Sequence, residues 1–191
     1  MAFRQLISAF TNPIDFLTRV ANLEAEMEAN EAVGSMGTHH YTPFGCPASL
    51  SAGGTSTQGV ANQIWLSEIR LSSNVLLTGV SFLIGGTGGT DKAVAILYDS
   101  SGNVLAWSAS AGATVGTAST FQRLAFTQQY QAAPGLYYVG IQTNGTTAYL
   151  QTQPAGDHNT GVDGTQTFGA LAKTTPPTTF TAAKGPICML Y

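Results

Sequence analysis

Apolar and polar side chains alternate with a period of two from Val60 to the last residue of the chain. Two predicted strands show this most clearly, each with its apolar residues on one face: Leu76, Val80, Phe82 and Ile84 in the first, and Val94, Ile96 and Tyr98 in the second. Successive side chains of a β-strand point to opposite faces, so this period predicts strands rather than helices.

Turn-forming residues separate the predicted strands. DSSGN at 99–103 predicts the turn of a hairpin that returns through 104–108, and glycines at 85–89 and Pro-Gly at 134–135 mark other breaks. Further strands are predicted at 60–71, 120–127, 135–143, 146–152 and 186–191, the last with Ile187, Met189 and Tyr191 alternating. Short strands without helical patterns between them predict a mainly β domain over 60–191, an antiparallel β-sandwich with a jelly-roll topology.

A helix is predicted over residues 12–33, ahead of the sandwich. It begins at Asn12-Pro13, a favoured N-cap followed by a favoured first helical residue. From there the d-a-d-a-d series of a coiled coil follows: Phe16, Val20, Leu23, Met27 and Asn30. In this register Arg19 occupies a g position and Glu24 the next e position, so the two side chains meet across chains in a parallel assembly.

The hexad RVANLE at 19–24 also resembles the Arg-hydrophobic-x-x-hydrophobic-Glu motif of short parallel trimeric coiled coils. We therefore expect a short parallel trimeric coiled coil with these trimerisation residues: Phe16, Arg19, Val20, Leu23, Glu24 and Met27. So short a coil needs help from the domains that follow it. An amphipathic helix packed on its own domain is the alternative.

Residues 1–11 carry one apolar helical face, formed by Phe3, Leu6, Ile7 and Phe10. This pattern is typical of an arm that docks on another protein, or of a helical turn that folds onto its own domain. Residues 34–59 are rich in Gly, Ser and Thr without a period, which predicts a linker or a loop wrapped on a neighbour.

Charge is sparse and unevenly distributed. Charged residues make up 9% of the chain, against about 25% in typical domains. Residues 1–31 hold two basic and five acidic groups, whereas residues 32–191 hold five of each. A neutral, hydroxyl-rich surface does not attract a phosphate backbone, so we expect no nucleic-acid partner. No segment has the length and apolarity of a signal peptide or a membrane span, so we expect synthesis in a cytoplasm and no membrane partner. Cys46 and Cys188 are then expected to be reduced.

The chain offers little that predicts catalysis or a cofactor. GGTGGTDK at 85–92 lacks the Gly-Lys-Ser/Thr of a phosphate loop and predicts a connection between strands. The chain has a loose set of soft side chains that could bind zinc: His39, His40, Cys46 and His158. No paired cysteine spacing supports a zinc site. Asp157 and Asp163 stay open as a glycosidase pair, without a motif to favour them. We expect no enzyme activity, no metal and no cofactor.

Five aromatic residues are candidates for a sugar-stacking platform: Trp65, Trp107, Tyr137, Tyr138 and Tyr149. Trp107, Tyr137 and Tyr138 lie inside alternating strands, where aromatic side chains more often belong to the core or to a sheet face. The pattern therefore favours packing over carbohydrate contact.

Four segments together define an overall plan: RVANLEAEM at 19–27, AVAILYDSSGNVLAWS at 93–108, APGLYYVGIQTNGTTAYLQT at 133–152 and GPICMLY at 185–191. A coil followed by a sandwich resembles the trimeric accessory structural proteins of tailed bacteriophage virions, which include capsid decoration proteins, head fibres and small tail appendages. The likeness is one of plan across residues 12–191.

This resemblance implies a virion structural protein made in the host cytoplasm without a signal peptide. Its partners would be further copies of itself and the major capsid protein or another virion protein. The coil residues would trimerise the chain, and the apolar face of residues 1–11 would contact the virion. The alternative is a tail-associated appendage that binds a host surface glycan through three linked weak sites. A bacterial carbohydrate-binding module is less favoured, because neither a catalytic domain nor an export signal accompanies it.

Overall fold

The computed structural model describes residues 54–156, 158–164 and 166–191, and this part of the chain forms eleven β-strands and no helix. The strands are β1 Thr55–Gln58, β2 Ile64–Leu71, β3 Val75–Leu83, β4 Lys92–Asp99, β5 Val104–Trp107, β6 Ala113–Thr114, β7 Phe121–Ala132, β8 Gly135–Thr143, β9 Tyr149–Thr152, β10 Thr160–Asp163 and β11 Cys188–Leu190. Every pairing between them is antiparallel. The mainly β, antiparallel class predicted from the sequence is confirmed.

The described strands form three sheets. The largest has six strands in the order β10-β2-β8-β4-β5, with β6 also paired to β4. A second sheet has the order β11-β3-β7, and β1 pairs with β9 in a third. The predicted hairpin at 99–103 is present, because β4 pairs with β5 and the Asp99 amide donates to the Asn103 carbonyl at 3.0 Å.

One hydrophobic core joins the six-stranded and three-stranded sheets. The six-stranded sheet contributes side chains that include Trp65, Ile69, Leu97, Val139 and Ile141, and the three-stranded sheet contributes Leu77, Val80, Phe82, Leu124, Cys188 and Leu190. We call this side of the six-stranded sheet its inner face. Alternate residues of each strand reach it, as the period of two requires.

The opposite, outer face of the six-stranded sheet is buried as well. It carries a second apolar cluster of Ile64, Leu66, Val94, Ile96, Tyr98 and Tyr138. Phe168 and Leu171, from the irregular chain between β10 and β11, pack against this cluster. We call residues 166–181 the outer cover. Burial on both faces explains why β4 is apolar along nearly its whole length, KAVAILYD.

A bulge in β3 changes which side chains it buries. The pairing of β3 with β7 shifts register between Leu77 and Gly79, and the amides of Thr78 and Gly79 both donate to the Tyr191 carbonyl, at 2.6 and 3.1 Å. An extra residue reverses the alternation of a strand. Leu76, predicted to share the face of Val80, is therefore 49% exposed, and Leu77 is buried in its place.

Three short strands were not predicted. Residues 55–58, within the segment predicted as a linker or wrapped loop, form β1, and β6 and β10 are the other two. The last predicted strand is present as β11, but the residues that it places in the shared core are Cys188 and Leu190 rather than the alternating set of Ile187, Met189 and Tyr191.

Candidate functional site

The residues predicted to assemble the protein lie outside the described part of the chain. This applies to the trimerisation residues Phe16, Arg19, Val20, Leu23, Glu24 and Met27, and to the docking residues Phe3, Leu6, Ile7 and Phe10. Their assignment to trimerisation and docking therefore stays a prediction. The described residues show what the β body itself can do chemically.

Asp91 fixes a loop at the start of β4. One of its carboxylate oxygens accepts hydrogen bonds from the backbone amides of Thr147 and Ala148, at 2.7 and 3.0 Å. Burial by itself raises the pKa of Asp91, but the hydrogen bonds from Ala148 and Thr147 outweigh it, and the pKa lies below its ordinary value. The side chain is therefore an anionic anchor for the loop that precedes β9.

Asp99 closes the hairpin between β4 and β5. Its carboxylate accepts from the amides of Ser101 and Asn103, at 2.8 and 2.9 Å, and from the Asn103 side-chain amide at 2.8 Å. Burial raises the pKa of Asp99, but these bonds, helped by the positive charge of Lys173, bring it below the ordinary value. Lys173 belongs to the outer cover, so the electrostatic contribution to the pKa of Asp99 comes partly from that segment.

Glu68 and Asp163 act in the same way at other points. Glu68 is almost fully buried. Its carboxylate accepts hydrogen bonds from the Arg70 Nε at 2.9 Å and from the Asn159 amide at 3.2 Å. Asp163 accepts from the side chains of Gln166 and Thr174, at 3.0 and 2.9 Å. The four carboxylates, in β2, in β4, in β10 and in the loop before β4, therefore hold neighbouring chain segments in place.

The structure does not test Asp157 and Asp163 as a glycosidase pair, or the loose set of metal ligands, because members of each set lie outside the described residues. Asp157, His39, His40 and Cys46 lie outside them. His158 is largely buried, with its ring edge against Phe180 at a centroid distance of 5.8 Å. Within residues 54–156, 158–164 and 166–191, no group of three or more His, Cys, Asp or Glu side chains is close enough to hold a metal ion.

The five aromatic candidates for sugar stacking mostly belong to the core. Trp65, Tyr137 and Tyr138 are buried, while Trp107 and Tyr149 are half-buried. Tyr138 donates through its hydroxyl to the Pro177 carbonyl at 3.1 Å, which ties the outer cover to β8. The packing role that the sequence favoured is the one these residues have, and they do not form a shared open platform.

A surface pocket lies where β6 and the end of β5 face β7. Its volume is about 210 Å³, and its walls include Ser108, Gly112, Arg123 and Leu124. The Arg123 guanidinium lies over the Tyr191 ring, 4.6 Å from its centroid, so part of its charge faces an aromatic surface. In FQRLAF, the alternation of polar and apolar residues places Arg123 on the exposed face of β7. This alternation is the sequence signal that could have identified Arg123 as a surface residue.

Two buried residues, Trp65 and Gln153, contact the turn Ala183–Gly185. The Gln153 backbone is bonded to this turn twice, since the Ala183 amide donates to the Gln153 carbonyl and the Gln153 amide donates to the Gly185 carbonyl, both at 2.9 Å. Lys184, at the tip of the turn, places its Nζ 4.9 Å from the centre of the Trp65 ring. We call Trp65 and Gln153 the Trp65–Gln153 cluster. No local sequence signal identifies it, because the turn and the two residues come from separate parts of the chain.

Cys188 is a free thiol within the shared core, fully buried. Burial raises the pKa of this thiol to about 12. A thiol with so high a pKa stays protonated at neutral pH and is a poor nucleophile. Its role in the described structure is packing. Cys46, the second cysteine of the sequence, lies outside the described residues.

No protein-family model matches this chain, and no curated protein matches it either. Among the described residues, none forms a helix that is long and apolar enough to cross a membrane.

Proposed function

We propose that this protein is a homotrimeric structural protein of a bacteriophage virion, a capsid decoration protein or a head fibre. In this proposal residues 1–11 attach it to the capsid, residues 12–33 form a parallel trimeric coiled coil, and the body projects outward as a jelly-roll-like β-sandwich. The observation that carries the proposal is the hexad RVANLE at 19–24, whose sequence fits a coiled-coil register and follows a predicted helix cap.

The use of polar side chains in the β body supports this function. Asp91 and Asp99 bind backbone amides of the loops beside them, and Glu68 binds the Asn159 amide. A carboxylate held by such bonds is fixed in place, and the pKa values of Asp91 and Asp99 lie below their ordinary value, which suits a loop anchor better than an acid or base that exchanges protons. A weakly charged body with anchored loops suits a protein whose task is to persist on the surface of a particle.

A tail-associated, glycan-binding appendage is the second candidate. One observation favours it over other recognition functions: the half-buried Trp107 and Tyr149 offer aromatic surface. Three copies on one coil would raise a weak affinity by linked binding. Copy number on purified particles separates the two candidates, because decoration requires copies in proportion to the capsid lattice and an appendage requires a few.

The native mass of the full chain tests the proposed trimer. We expect a trimer for the unchanged chain and for Ala25→Asp, which places a carboxylate on the outside of the predicted coil at an f position. Leu23→Asp places the same carboxylate in the d-position seam and should give monomers, because a charge cannot be buried there without a partner. A monomeric unchanged chain, or a trimer that survives both Leu23→Asp and deletion of residues 1–33, contradicts the coil as the assembly device.

A further inference from the structure

The Trp65–Gln153 cluster combines deep burial with hydrogen-bonding groups that have no partner. Trp65 is 1% exposed and Gln153 is 3% exposed. The Trp65 Nε1, the Gln153 Nε2 and the Gln153 Oε1 all lack a hydrogen-bond partner. Exchanging the oxygen and nitrogen of the Gln153 amide changes nothing, since both ends lack one.

Three buried polar atoms without a partner, on two residues that contact the same turn, are unusual. More than nine in ten buried polar groups in proteins have a partner, and a group without one costs stability comparable to the loss of a strong hydrogen bond. A buried glutamine of the six-stranded sheet, Gln142, follows the rule: its Nε2 donates to the Gln166 carbonyl and its Oε1 accepts from the Gly169 amide, both at 2.9 Å. The Gln153 amide therefore requires a partner from outside the described residues.

We propose that the Trp65–Gln153 cluster is a binding site for a neutral hydroxyl oxygen, from a water molecule or from a sugar. The cluster presents two N–H donors and one acceptor, and hydroxyl and water oxygens can both accept and donate. An anion would accept from the donors but leave Oε1 without a partner. A metal ion would face two N–H groups and the ammonium of Lys184, which lies over the Trp65 ring.

The position of Lys184 determines how the ligand approaches. The ammonium lies 4.9 Å from the centre of the Trp65 ring, so one face of the indole is already occupied. The ligand is therefore held at the edge of the ring, through Nε1, rather than stacked on it. Entry requires movement of the turn Ala183–Gly185, where Ala183 has a φ of +57°, a conformation that is uncommon for alanine.

A pair of matched glutamine variants tests whether the site is filled. Gln153→Met removes the amide at nearly constant side-chain length, and Gln142→Met does the same to a glutamine whose partners are within the protein. If a ligand oxygen fills the site, both variants raise the unfolding equilibrium constant, by about tenfold. If the amide of Gln153 truly has no partner, Gln153→Met leaves that constant unchanged or lowers it, and the proposal is wrong.

Two further measurements on the full chain identify the source of the oxygen. A high-resolution crystal structure should show electron density for a water or sugar oxygen at about 3 Å from Trp65 Nε1 or from the Gln153 amide. An empty site, or a group from residues 1–53 in that place, overturns the proposal. In a Trp107→Phe background, Trp65 is the one remaining tryptophan, and its fluorescence is titrated with D-glucose, D-galactose and N-acetyl-D-glucosamine. A saturable change that Gln153→Met abolishes assigns the oxygen to a sugar. Density without any fluorescence response assigns it to water.

Discussion

The two faces of the six-stranded sheet are covered by different kinds of partner. The inner face packs against a second sheet through side chains such as Phe82 and Leu124. The outer face is covered by residues 166–181, which form no strand and reach the sheet partly through hydrogen bonds, including the two made by the Gln142 side chain. One sheet is therefore buried by an apolar interface on one side and by a bonded loop on the other.

The difference follows from where the backbone N–H and C=O groups of each covering segment find their hydrogen-bond partners. A sheet satisfies its N–H and C=O groups within its ladders, so it can offer side chains alone to the core. An irregular segment has no ladder, and its buried backbone groups need partners from elsewhere. This explains why the outer face carries Gln142, Asp163 and the Tyr138 hydroxyl among its apolar residues, each bonded to the outer cover. The inner interface depends on apolar area and fit, whereas the outer one depends on a few specific bonds.

The largest expected effect comes from truncating a phenylalanine on each face. Phe82 is fully buried in the inner core, and Phe82→Ala should lower the free energy of unfolding by about 3–5 kcal/mol. Phe168 is half-buried in the outer cover, and Phe168→Ala should cost about 1–2 kcal/mol because less apolar area returns to water. Denaturant unfolding measures both, and Phe82→Leu serves if Phe82→Ala fails to fold. Equal losses at the two positions would contradict the comparison.

An intermediate effect is expected from Gln142→Met. The substitution leaves the Gly169 amide and the Gln166 carbonyl without their partner and should lower the free energy of unfolding by about 1.4 kcal/mol, a tenfold change in the unfolding equilibrium constant. Hydrogen exchange should accelerate in the outer cover while the amides of β3 and β7 stay protected. Uniform acceleration across both sheets would mean that the outer cover does not open separately.

The smallest expected effect is a pH dependence that passes through Asp99. The pKa of Asp99 in the folded protein lies below its ordinary value of 3.8, so the unfolded chain takes up the proton first as the pH falls. The stability that Asp99 contributes is fully present above about pH 4 and is lost as the pH falls through the folded pKa. Asp99→Asn should therefore reduce the difference in unfolding free energy between about pH 7 and about pH 3.

Asp91→Asn provides the parallel measurement, since the pKa of Asp91 is also lowered. No charge from the outer cover contributes to the pKa of Asp91, whereas the positive charge of Lys173 helps to lower the pKa of Asp99. Loosening of the outer cover in Asp99→Asn but not in Asp91→Asn, read by hydrogen exchange, would connect the hairpin charge to that cover. An unchanged pH difference in both variants would contradict the role of these carboxylates.

The sequence by itself determined the class of the fold and its local turns. The period of two marks β3, β4, β7, β8 and β11, and DSSGN marks the hairpin, because these signals depend on residues a few positions apart. The Asp99 hydrogen bonds show this directly, since they close within four residues. The tertiary structure decided which segments pair over long distances: Thr57 and Thr152 share a hydrogen bond between β1 and β9 although 95 residues separate them.

The tertiary structure also decided the parts that a single strand cannot specify. The bulge that exposes Leu76 depends on the Tyr191 carbonyl reaching Thr78 and Gly79 from the far end of the described chain. The Trp65–Gln153 cluster exists only where the turn Ala183–Gly185 contacts β2 and the residue that follows β9. Local signals fix the conformation of short segments, whereas partners for buried polar groups are chosen among segments that meet only when the whole core forms.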